Sequence, residues 1–194
     1  MIASSKIAGS GSFAEQAKRI AASEHLYRLA LSLELVETMS ALLLGFALYV
    51  TLRPVNELVA RLAMFFRMAE SIAGAVGMMF AFARLRLYLD GTESVVGFTL
   101  GAGNASYNIS ALFFGVGSIL FFYVFSRSTI IPKMLSIFGI ISSLIVPVIC
   151  FGDLIFPEYA AKLQYGWAPM ALAEVVTGIW LMVAPRIGHD ENHG

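Results

Sequence analysis

The sequence is short of charge. Of 194 residues, 13 are Lys or Arg and 13 are Asp or Glu, 13% in all, where an ordinary soluble domain carries about 25%. A water-facing surface cannot be built from so few ionic groups, which excludes a soluble globular protein. One cysteine, Cys150, excludes a disulfide-stapled secreted scaffold. Histidine is scarce as well. His189 and His193 sit in a polar tail without further ligands, and His25 reads as a surface residue near the membrane boundary, so no metal site is expected. Ser-His-Asp, Cys-His and HExxH groupings are missing, as is a GxxxxGK phosphate loop. No catalytic residue is assigned and no cofactor is expected. Net charge is zero, so nothing global draws the chain to nucleic acid.

What is present is apolar. Hydrophobic residues make up 58% of the chain, with 15 Phe and 17 Gly, and the mean hydropathy is +0.78. A spanning helix needs about 20 mostly apolar residues. Five runs qualify: Leu26 to Leu52, Leu58 to Phe82, Ile109 to Phe125, Ile131 to Phe151 and Trp167 to Ala184. The runs are continuous rather than alternating, and backbone groups in lipid must be satisfied within the segment. The fold class predicted is therefore all-α, an integral membrane bundle of five helices, with the lipid bilayer as its first partner.

Residues 84–93 read as a polar loop after the second span, carrying Arg84, Arg86, Asp90, Gly91 and Glu93. Beyond it, Gly97, Gly101, Asn104 or Ala105, Asn108, Ala111, Gly115 and Ser118 repeat at helical spacing. That stripe predicts an unusually long third helix beginning near Ser94; the alternative is a flexible Gly-rich loop. Met1 to Ser12 is small and polar and reads as disordered. Phe13, Ala17, Ile20 and Ala21 share a face of a short helix, lying at the membrane surface or extending the first span. Residues 26–185 form one transmembrane domain, and 186–194 a polar tail. Pro147 and Pro169 predict kinks. Cys150 reads as a small buried hydrophobe, and the runs Phe65-Phe66, Phe113-Phe114 and Phe121-Phe122-Tyr123 as packing and lipid contact.

The informative residues are charges where lipid should be. Glu34 and Glu37 lie in the first span, Arg67 and Glu70 in the second, and Glu174 in the fifth. An ionised side chain at the bilayer centre costs about 3 kcal/mol on insertion scales, so such groups turn inward and find partners. Arg67 and Glu70 are three apart and can share a face. With Asn104 and Asn108 these residues are expected to meet in one interior cluster holding more carboxyls than cations. Protonated carboxyls, a cation or a ligand amine would balance it; plain structural bonding between helices is the alternative. Three functions fit: a non-enzymatic bundle that binds a ligand or a membrane subunit, a second copy included; a small-solute or proton-coupled transporter; or an intramembrane enzyme on a lipid-like substrate.

A series of motifs carries a resemblance. Ala22-Ser-Glu-His-Leu-Tyr-Arg28 is followed by Leu48-Tyr-Val-Thr-Leu-Arg-Pro-Val-Asn56 and Phe65-Phe-Arg-Met-Ala-Glu70. Asn108-Ile-Ser-Ala-Leu-Phe-Phe-Gly115, Ser126-Arg-Ser128 and Ile131-Pro-Lys-Met-Leu135 come next. Leu154-Ile-Phe-Pro-Glu158, Trp167-Ala-Pro-Met-Ala-Leu-Ala-Glu174 and Trp180 complete the series. In this order, from about Gly9 to Ala184, the chain resembles the bacterial membrane family known as domain of unknown function 4386. The resemblance implies a compact helical bundle of the bacterial inner membrane and no particular activity, and it puts Arg67, Glu70 and Glu174 on family-like positions. Members usually carry one more spanning helix ahead of the first motif. Here Lys6-Ile-Ala-Gly9 looks like its start and passes directly to Ser10-Gly-Ser-Phe13. Counting Lys and Arg on the two sides leaves them nearly balanced, leaning slightly against the orientation adopted here. The resemblance is what puts the short basic loops with Arg53, Arg61, Arg127, Lys133 and Arg186 inside.

Overall fold

The computed structural model describes residues 7–190, with side chains through Val183. Lys6, His193 and the first six residues of the stretch predicted to be disordered lie outside the described residues, as does the His189 side chain. Among the described residues there is no strand. The helices are α1 (Phe13–Ala22), α2 (Glu24–Leu52), α3 (Glu57–Leu89), α4 (Val96–Ser126), α5 (Lys133–Ile155), a short α6 (Ala160–Leu163) flanked by 3-10 turns, and α7 (Trp167–Asp190). The fold is an all-α helical bundle. Five segments are long and apolar enough to cross a membrane: α2, α3, α4, α5, and Pro157–Val183, which contains most of α7.

Local chemistry sets the ends. Ser12 and Glu15 form a reciprocal capping box at the start of α1, the Ser12 amide donating to Glu15 Oε2 at 2.9 Å. Asn56 Oδ1 accepts from the Val59 amide at 3.1 Å and caps α3. The end of α3 corrects the predicted loop. Arg84 and Arg86 are helical, and the helix stops only at Leu89. Gly91 takes φ +70°, the Gly91 amide donates to Tyr88 O, and the Thr92 amide donates to Leu87 O. This is the Schellman arrangement, which glycine adopts without a Cβ penalty. The stripe from Gly97 onward is helical from Val96, so the long-helix reading holds and the loop alternative does not. Pro169 is the third residue of α7, where its missing N–H costs no helical bond; Pro147 lies inside the continuous α5.

The chain divides into two compact units. The first contains α1, α2 to Leu44, α3 from Met68 and α4 to Ser110. Its core gathers Ile20, Tyr27, Leu31, Leu85 and Tyr88. Here α1 packs its apolar face onto α2 and α3: Ile20 is fully buried, and Phe13 stacks on Tyr88 with centroids 5.3 Å apart. Residues 7–12, predicted to be disordered, are tied down by Arg19, whose Nε donates to Ala8 O at 3.0 Å and whose Nη2 donates to Ser10 O.

The second unit contains α2 from Gly45, α3 to Arg67, α4 from Ala111, and α5 to α7. Its core includes Leu52, Phe121, Phe122, Val146, Cys150 and Met170. Cys150 is buried, as predicted. Ser143, wholly buried on α5, donates to Gly139 O at 2.7 Å, and its hydroxyl meets Met170 Sδ of α7 at 3.3 Å. A Cβ placed on Gly115 of α4 would come within 2.8 Å of Pro147 Cδ, so this part of the stripe is a close helix crossing.

Candidate functional site

In the second unit the focus is Arg67. Eleven residues into α3, its side chain is 5% exposed. Two glycines make room for its stem. A Cβ on Gly45 of α2 would fall 2.9 Å from Arg67 Cβ, and one on Gly117 of α4 would fall 3.4 Å from Arg67 Cδ. The guanidinium lies over the Phe114 ring at 4.9 Å, and Phe114 stacks on Trp167 at the start of α7. Such a contact contributes about 2 kcal/mol when desolvated. Glu174 lies two turns further along α7 than Trp167. Its own position is exposed on the surface of the chain. Four helices therefore converge on one buried cation.

In the first unit the focus is Gly74. A Cβ there would meet Ser110 Oγ of α4 at 3.5 Å and Thr38 Cγ2 of α2 at 3.7 Å. Ser110 Oγ donates to Glu70 O at 2.9 Å, and Thr38 Oγ1 donates to Glu34 O at 3.0 Å. Glu34 is buried at 8% exposure, while Glu70 and Asn108 are half-buried. Glu37 and Asn104 are exposed on the surface of the chain, against the expectation that every intraspan polar group turns inward.

The seven predicted residues thus separate by unit. Arg67 and Glu174 belong to the second, and Glu34, Glu37, Glu70, Asn104 and Asn108 to the first. Sequence reasoning missed Gly45, Gly117, Phe114 and Trp167. A buried arginine at mid-helix calls for a small residue beside its stem, and Gly45 and Gly117 carried that signal. Nothing distinguished Phe114 from Phe113. Among the described residues, no three His, Cys, Asp or Glu are grouped to hold a metal ion.

No curated protein and no solved structure is significantly similar to the chain. The family described as Domain of unknown function (DUF4386) matches residues 1–184. With nearly its whole length covered, and with the five apolar helices and ordered motifs described above, the chain belongs to the DUF4386 family.

Proposed function

We propose that the chain is a multi-pass protein of a bacterial inner membrane that binds a ligand or another membrane subunit without transforming it. The observation that carries this reading is the seat of Arg67. A guanidinium buried inside an apolar span, with its stem fixed by two glycines and its face on an aromatic ring, is pre-organised for a fixed negative group. Glu174, on the helix whose Trp167 backs Phe114, puts a carboxyl group at an exposed position that a ligand or partner can reach. The exposed Glu37 and Asn104 support a partner subunit, because a carboxylate facing hydrocarbon is costly unless something covers it.

Native mass spectrometry of the detergent-purified protein tests this. Wild type is expected to retain a defined small molecule or subunit, and Glu174→Gln to lose it at an unchanged melting temperature. Bare protein in both, with equal stability, overturns the reading. A second reading, proton-coupled transport, is favoured by the buried carboxyl of Glu34. Flux in proteoliposomes that Glu34→Gln leaves unchanged removes it.

A further inference from the structure

Arg84 is another buried guanidinium, and the function proposed above makes no use of it. Its side chain is 4% exposed, Nη1 has no hydrogen-bond partner, and Arg84 makes no ion pair among the described residues. Other arginines of the first unit are provided for. Arg28 pairs with Glu24 at 2.7 Å, Arg19 holds Ala8 O and Ser10 O, and Arg86 is exposed. The acids near this end are engaged or turned outward: Glu24 serves Arg28, Glu15 closes the α1 capping box, and Asp90 and Glu93 lie exposed on the α3–α4 connection. Burying a cation without a counter-charge is strongly unfavourable. Arg84 therefore calls for an anion, and no ion pair among the described residues supplies one.

Position indicates which anion. At about 1.5 Å per residue, the 33 residues of α3 run about 50 Å, against about 30 Å of hydrocarbon. Arg84 is five residues from the last residue of α3, about 8 Å along the axis, at the depth of the headgroups. Two buried tyrosines, Tyr27 and Tyr88, occupy the same core, in keeping with a membrane boundary. Arg84 and Tyr88 are one turn apart on one face of α3, and both are buried. The Tyr88 hydroxyl donates to Gln16 Oε1 of α1, so the ten-residue α1 sits over the same turn. We propose that Arg84 is the cation of an oxyanion site at the α1-covered end of the first unit, and that its ligand is a phosphate group. The guanidinium fork matches phosphate oxygens in bidentate geometry. The source is a phospholipid headgroup or free phosphate.

The test uses the full chain in a neutral maltoside detergent, by native mass spectrometry. One arm adds dioleoylphosphatidylglycerol and the other inorganic phosphate. Wild type is expected to hold one probe molecule per chain. Arg84→Gln is expected to hold it about tenfold more weakly, the loss of one charge-assisted hydrogen bond, and Arg84→Lys to fall between. A lipid adduct that inorganic phosphate does not displace assigns the headgroup; a phosphate adduct, or displacement by phosphate, assigns the free anion. Equal adducts on wild type and Arg84→Gln, or none on either, at unchanged melting temperature, overturn the proposal. Should Arg84→Gln fail to fold, Arg84→Lys decides: weakened binding supports the site, and wild-type binding overturns it.

Discussion

A charged side chain in a spanning helix is tolerable only where its surroundings are built for it, and for Arg67 two glycines leave the room its stem fills. Gly45 leaves the space that Arg67 Cβ and Cγ occupy. Gly45→Ala puts a methyl 2.9 Å from Arg67 Cβ, and overpacking of this kind costs about 1–3 kcal/mol. A lower thermal midpoint in detergent is the expected readout. Gly178→Ala is the control, because a Cβ there meets nothing within 4 Å; its midpoint is expected to stay level or rise slightly. A sharper case is Gly139→Ala, whose methyl would lie 2.3 Å from the Phe122 ring. Phe122 is 5% exposed and backs onto the Phe125 ring, so the loss is expected at the upper end of the same range.

At the scale of elements, what was legible in the sequence was what a single helix decides alone. Continuous apolar runs reported their own spanning length, and the small-residue stripe reported α4 because its spacing is a property of one helix. The end of α3 was misread because Arg84, Arg86 and Asp90 have the composition of a loop. The stop signal was the Asp90-Gly91 pair, six residues past the first of those charges. Gly91→Ala places a Cβ at φ +70° and is expected to cost about 1 kcal/mol, visible as faster amide exchange over 86–92. Ser12→Ala removes half of the capping box and is expected to cost about 1 kcal/mol within α1. Exchange over 13–22 should rise while the α5 and α7 amides are unaffected.

At the scale of the whole molecule, the polar residues were legible as a set but not as an arrangement. Glu34, Glu37 and Asn104 look alike in sequence, yet one is buried and two are exposed. The difference lies in the rotation of each helix against its neighbours, which no local spacing encodes. The same holds for Phe114, which serves Arg67 while Phe113 packs on Phe66. Cys150 offers a check on packing in the second unit. It is the one cysteine of the chain and is 4% exposed, so maleimide labelling in membranes is expected to be slow and to become complete only after denaturation. Fast labelling of the native protein would mean that the unit opens readily.

The turn that ends α3 has one more use. Residues 90–94 are all exposed, and a Cβ placed on Gly91 would meet nothing within 4 Å beyond its chain neighbours. A peptide tag inserted there would lengthen a hairpin tip without crowding either core, since exposed tips tolerate insertion. Antibody access to that tag in sealed and in opened vesicles would then report, from a single site, which compartment this end of the protein faces.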